Sequence, residues 1–137
     1  MLEVCCSIPY DLNDPLEQGG LLFGTRDGER ATVHACTGPL PGDDRGTHHL
    51  TLADPGHTLA AEDAFARGWV YLGYWHSHPA GTPPTPSDVD VTDFHVAARV
   101  LFPTAPYLDF PIVTGGVLHA YRLAHDLTLK EVPHGPE

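Results

Sequence analysis

The run Trp69-Val-Tyr-Leu-Gly-Tyr-Trp75 contains no charged residue and leads directly into His76-Ser-His78-Pro79. A stretch of aromatic and aliphatic residues with no polar face reads as a strand covered on both sides, so the chain is expected to pack further layers on its sheet. At the end of that strand, period-two alternation puts His76 and His78 on one face with Cα atoms about 6.6 Å apart. Two imidazoles so placed can converge on one zinc ion at about 2.0–2.1 Å. A carboxylate from the start of the next helix could complete three protein ligands and leave the fourth position to water, the layout of a catalytic rather than a structural site.

The surrounding segments fit one mixed α/β domain. Leu2–Ile8 reads as a first strand and Pro9–Pro15 as an irregular connection. Gly19–Gly24 and Ala31–Cys36 flank the Asp27-Gly28 turn signal and form a hairpin. Residues 38–47 are loop by composition, and His49–Leu52 is a short strand. Thr58–Arg67 carries Leu59, Ala60, Ala64 and Phe65 at helical spacing and stops at Gly68, which suits a C′ position. After the Pro79–Pro86 loop, Ser87 opens a helix over 88–101 with Val91, Phe94, Val96, Ala97, Ala98 and Leu101 as apolar positions. Tyr107–Thr114 is a strand that Pro111 assigns to an edge or a bulge. Gly115-Gly116 turns it into Val117–Leu123, and Leu127–Val132 makes the last pairing.

With 137 residues, one domain is expected. Eighteen acids against seven bases give a net charge of −11, which argues against nucleic acid and acidic membrane surfaces as partners. There is no basic region followed by an apolar stretch at the start and no run of membrane-spanning length, so a cytoplasmic protein is expected. Cys5, Cys6 and Cys36 are an odd set without a CxxC spacing and read as reduced thiols acting as small apolar residues.

Ten histidines in a chain of this length produce about 0.7 His-x-His pairs by chance, so the pair alone is weak. The strand before it, Pro79, and Ser87-Asp-Val-Asp90 shortly after make the composite specific. Ser87 also suits a helix N-cap with Asp90 as its capping-box acid. Asp88 and Asp93 read as solvated first-turn acids. His48, His49 and His57 read as surface residues, and His95 as a residue behind the ligands or exposed.

The composite resembles the JAMM motif of the JAB/MPN+ zinc metalloprotease family, in which a distant Glu joins His-(Ser/Thr)-His-Pro and a following Ser-x-x-Asp. Upstream, Pro15-Leu-Glu17-Gln-Gly-Gly-Leu-Leu-Phe-Gly24 is similar to the segment holding the family's catalytic Glu, and the order of elements from 15 to about 132 also fits. The resemblance implies a mixed β-sheet flanked by helices, the JAB/MPN (cytidine-deaminase-like) architecture, with residues 1–137 as a single domain. It implies one Zn2+ per chain held by His76, His78 and Asp90, Glu17 as general base and Ser87 as oxyanion donor. Family members hydrolyse peptide or isopeptide bonds, often at the C-terminal tail of ubiquitin-like proteins. A short chain such as this resembles the small stand-alone prokaryotic members and is expected to act on a ubiquitin-like or sulfur-carrier tail. The alternative is a non-catalytic MPN-type binding scaffold that retains the zinc site. A zinc nucleoside deaminase is excluded, because His-x-Glu and Pro-Cys-x-x-Cys are missing. The sequence departs from the family twice. The loop Pro79–Pro86 is one residue longer than usual, with the extra residue expected as slack around Pro83-Pro84. The helix before Glu17 is reduced to the irregular Pro9–Pro15.

Overall fold

The computed structural model describes residues 1–101 and 104–135, with the side chain of Leu101, expected on the apolar face of its helix, outside the described residues. The elements in order are β1 (Leu2–Val4), β2 (Gly19–Asp27), β3 (Arg30–Cys36), β4 (Asp44–Arg45), β5 (Leu50–Thr51), α1 (Pro55–Ala66), β6 (Val70–His78), α2 (Asp88–Leu101), β7 (Tyr107–Thr114), β8 (Val117–Ala124), β9 (Leu129–Val132) and β10 (His134–Gly135). Eight strands form one mixed sheet in the order β10-β1-β3-β2-β6-β7-β8-β9, and β4 pairs with β5 apart from it. β6 and β7 are parallel and joined through α2, as a parallel pair requires a crossover. β10 follows β9 after Pro133 alone yet pairs with β1 at the other end of the sheet, with Leu2 N–H donating to Pro133 O at 2.9 Å. The sheet therefore curls round and closes on itself.

Closure divides the apolar residues into two cores. Leu2, Leu22, Val33, Leu72, Trp75, Val113, Leu118 and Val132 belong to one. Phe94 and Ala98 of α2 pack with Leu108, Phe110 and Leu123 in the other, with the Phe94 and Phe110 rings stacked 4.1 Å apart. β6 serves both: Leu72 and Trp75 join the first core, Tyr71 and Tyr74 the second. Its lack of a polar face has this cause. Gly73, at φ +140°, lies opposite Asp109 of β7 so closely that a side chain there would collide with the Asp109 carbonyl. The register of β6 against β2 shifts at the same point, and beyond it Tyr74, His76 and His78 alternate with Trp75 and Ser77.

Several expectations need correction. β7 is interior, fully flanked by β6 and β8, so Pro111 does not mark an edge. It pairs with Ala120 of β8, and on the β6 side it falls between the Gly73–Asp109 and His76–Ile112 pairs, where its missing N–H is tolerated. β1 ends at Val4 instead of Ile8. α1 starts at Pro55, capped by the Asp54 carboxylate accepting from Gly56 N–H, and ends before Gly68 at φ +84°. Of its expected apolar residues Ala64 is buried as the spacing suggests, but Leu59 and Phe65 are 64% and 54% exposed, and His57 takes the other buried place. On α2, Val96 also faces outward. Among the described residues, no helix is long and apolar enough to cross a membrane.

Candidate metal centre

The end of β6 and the first turn of α2 bring His76, His78 and Asp90 together. His76 Nε2 lies 3.3 Å from His78 Nε2 and 3.2 Å from Asp90 Oδ1, and His78 Nε2 lies 2.9 Å from Asp90 Oδ2. Ligands around a tetrahedral zinc at about 2.0–2.1 Å are separated by roughly 3.3 Å, and the two imidazole nitrogens are already that far apart, with the Asp90 carboxylate set against both through its two oxygens. Among the described residues this is the group of His, Cys, Asp and Glu that could hold a metal ion.

Proton accounting leads to the same place. His78 Nδ1 lies 2.9 Å from the Pro83 carbonyl, which can only accept, so Nδ1 carries a proton. A neutral ring then turns the lone pair of Nε2 toward a carboxylate and a second imidazole nitrogen. His76, whose Nδ1 finds no partner, can carry its proton on Nε2 and donate it to Asp90, so the three groups meet through shared protons that a metal ion could replace. Without metal the proton serves: the hydrogen bond to Asp90 lifts the His78 pKa above its ordinary value against the opposing effect of burial. Burial pushes the Asp90 carboxyl up, but hydrogen bonds from His76 and His78 outweigh it and hold Asp90 well below the usual carboxylate range. His76 packs against the Tyr74 and Phe94 rings, and its Nδ1 is buried without a hydrogen-bond partner.

Ser87 and Asp90 form the capping box expected of them. Ser87 N–H donates to Asp90 Oδ2 at 2.9 Å, and Asp90 N–H donates to Ser87 Oγ at 3.1 Å. The cap thereby orients a ligand carboxylate, while the Ser87 side chain, on an exposed residue, still has a hydroxyl proton to donate. The loop before it is tied to the centre at Pro83, whose carbonyl accepts from the His78 ring.

Glu17 reaches the same centre from the strand on the other side. Gly19 pairs with His76, Gln18 N–H donates to Ser77 Oγ at 2.9 Å, and Ser77 N–H donates to Gln18 O at 2.8 Å. Continuing that register sets Glu17 opposite His78. Its N–H donates to Gly46 O, and Arg45 donates to its carbonyl. Burial raises the Glu17 carboxyl above an ordinary glutamate. His76, His78 and the exposed His48 draw it down, and Asp90 pushes it up. A half-buried carboxyl that favours its proton more than usual suits proton transfer. Beside Leu16, a cavity of about 400 Å³ is lined by Pro39, Leu40, Pro41, Asp43 and Arg45.

Asp88 and Asp93 are exposed and stand outside the donor group, and His95 Nδ1 hydrogen-bonds the Val91 carbonyl one turn back. His48 and His49 are exposed, as expected. His57 is not: it is 3% exposed, with Nε2 2.9 Å from Asp43 and Nδ1 2.7 Å from Thr37 Oγ1. Thr37 Oγ1 in turn accepts from Leu21 N–H, and its carbonyl accepts from Trp75 Nε1. This buried chain braces β2 and β6 behind the centre. It was not foreseen, and neither was Gln18, whose side chain pairs both ways with the backbone of Asp11.

A profile of prokaryotic homologs of the JAB domain matches residues 11–124, the greater part of the chain and all the residues of this centre. Among solved structures, a protein from Desulfitobacterium hafniense is 27% identical over 98% of this chain and 91% of its own, with a TM-score of 0.65. One from Salinibacter ruber is 23% identical over 85% of this chain and 75% of its own, with a TM-score of 0.51, a likeness of fold alone. A search of curated proteins returns no match.

Proposed function

Starting from the fact that the chain belongs to the family of prokaryotic JAB-domain proteins, we propose that it is a cytoplasmic zinc metallopeptidase. Its residues 1–137 act as one domain, and it hydrolyses a peptide or isopeptide bond at the C-terminal tail of a ubiquitin-like or sulfur-carrier protein. The observation that carries this reading is the convergence of His76 Nε2, His78 Nε2 and the Asp90 carboxylate, with the His78 Nδ1 proton pinned on Pro83, a donor set that suits one zinc ion. His76, His78 and Asp90 would hold one zinc ion. Bound there, zinc supplies a Lewis acid for the scissile carbonyl and lowers the pKa of water to about 7.

The remaining chemistry belongs to the chain's own residues. Glu17 accepts a proton at its carboxylate from the attacking water and returns it to the leaving amine nitrogen, a role its raised pKa favours. The Ser87 hydroxyl donates to the oxygen on which negative charge grows. The Ser87 N–H and the Pro83 carbonyl keep Asp90 and His78 in place while this happens.

The test is Glu17→Gln with zinc content measured alongside cleavage. Glu17 is not among the ligands, so the variant should fold, retain about one zinc per chain, and lose at least about 10²-fold in hydrolysis of a ubiquitin-like protein with an extended C-terminus. A zinc-replete Glu17→Gln that cleaves at the wild-type rate would remove Glu17 from the mechanism. Wild-type protein that holds zinc, binds the tail and never cleaves it would leave the scaffold reading in its place.

A further inference from the structure

Cys6 and Cys36 are separated by thirty positions, yet their sulfurs lie 3.3 Å apart. Cys36 Sγ also donates to Ser7 O at 3.4 Å, so the second thiol sits against the backbone that follows the first. Both cysteines are partly buried beside the core inside the closed sheet, whereas Cys5 is exposed. Neither takes part in the metal centre.

The pair stands at one end of the segment that carries Glu17. Between β1 and β2 the chain runs without helix or strand, with Ile8 and Tyr10 against the core, Asp14 paired with Arg45, and the Glu17 N–H donating to Gly46 O. Cys5 N–H donates to Val33 O, Cys6 meets Cys36, Pro9 packs on Gly38, and Asp11 pairs with the Gln18 side chain. The last of these lies one residue from Glu17. This strap is long, and thiol contact is a weak bond among those that hold it.

We propose that Cys6 and Cys36 are a reversible dithiol that closes to an intramolecular disulfide under a peroxide oxidant and so staples the Glu17 strap to the end of β3. Cys6 is the attacking thiol: the Cys36 thiol donates to the Ser7 carbonyl, a contact that favours its protonated form, whereas among the described residues the Cys6 thiol hydrogen-bonds only to the Cys36 sulfur. The Cys6 thiolate attacks one oxygen of hydrogen peroxide, the O–O bond breaks, hydroxide leaves, and Cys6 becomes a sulfenic acid. The Cys36 sulfur then attacks the Cys6 sulfur, the S–O bond breaks, and water leaves as the disulfide forms. In sum, two thiols and one peroxide give one disulfide and two waters. Cys5 is left out because its side chain is exposed, away from the contact.

The test uses Cys5→Ser, a change at an exposed position, beside the wild-type chain. After hydrogen peroxide, Cys5→Ser should go from two free thiols to none, lose two hydrogens in mass, and yield a cross-linked peptide joining residues 6 and 36. Dithiothreitol should restore both thiols. Amides of residues 5–18 should exchange more slowly in the oxidised form. Cys36→Ser should instead accumulate a sulfenic acid at Cys6 that dimedone traps. The proposal is overturned if Cys5→Ser keeps its two thiols, if Cys6 runs on to sulfinic acid without cross-linking, or if the wild-type protein joins Cys5 to Cys36 or dimerises through Cys5. None of these readouts measures hydrolysis, so they stand or fall apart from the peptidase reading.

Discussion

His78 is gripped at both ring nitrogens, by Pro83 O on one side and Asp90 on the other, and a metal can enter only by displacing the proton between His78 and Asp90. The metal-free His78 pKa is raised. Its pairing with Asp90 therefore stabilises the fold fully below the unfolded value of about 6.5, and that contribution is lost as pH rises through the folded value. Metal affinity runs the other way. Zinc binding should tighten as pH rises through the same window and level off above it, as a competition titration from about pH 5.5 to about 8.5 will show. A flat profile would mean that no proton leaves His78. His78→Ala should lose most of the zinc, because two remaining ligands do not complete the site. Asp43 is a second residue whose state matters. Burial pushes its carboxyl up, but hydrogen bonds from His57 and from the Leu40 and Asp54 N–H groups outweigh this and hold it below the ordinary value. Its stabilising contribution is present above about pH 3.9 and is lost as pH falls through the folded value. Asp43→Asn should cost about 1–3 kcal/mol in denaturant unfolding while zinc content stays unchanged, since the brace lies behind the ligands.

The loop between β6 and α2 bears on the candidate metal centre, because its Pro83 carbonyl sets the tautomer of His78. Deleting Pro84 should therefore weaken zinc binding by about 10–100-fold, the usual scale for removing a partner behind a metal ligand. Retention of wild-type affinity would restore the view of that loop as spare length. Elements whose signals are local were legible in the sequence. The β2–β3 hairpin follows from Asp27-Gly28 between apolar runs, α2 from Ser87 and its acids, and β6 from its unbroken apolarity. What was illegible depends on distant partners. Glu17 was reached only through the resemblance of its segment, since its position is set by pairing across to β6, with Gln18 and Ser77 fifty-nine positions apart. The buried face of α1 is set by Asp43 and Thr37 receiving His57, so of the residues at helical spacing Ala64 is buried while Leu59 and Phe65 are not. Pro111 violates the local rule for interior strands, and only the gap in the β6–β7 pairing explains it.

At the scale of the molecule, Arg122 ties together parts that the chain keeps far apart. Its guanidinium pairs twice with Asp109, at 2.7 and 3.2 Å, and donates to the carbonyls of Glu29 and Met1. It also lies 3.9 Å over the Tyr107 ring. Arg122 and Asp109 are 2% and 0% exposed, so Arg122→Met would strand a buried carboxylate and should destabilise the protein by about 3–5 kcal/mol. Adding Asp109→Leu to that variant should recover part of the loss, because the stranded charge goes with it.

Pro133 has a further consequence for where the polypeptide can be cut. Because Leu2 lies beside His134 and Glu3 beside Gly135, the first and last described strands meet at one seam. The order in which the segments are synthesised is then a separate matter from how they pack. A circular permutant with a short linker joining the old ends and new ends opened between Arg67 and Gly68 should fold and bind zinc. That cut lies at the exposed close of α1, away from the ligands.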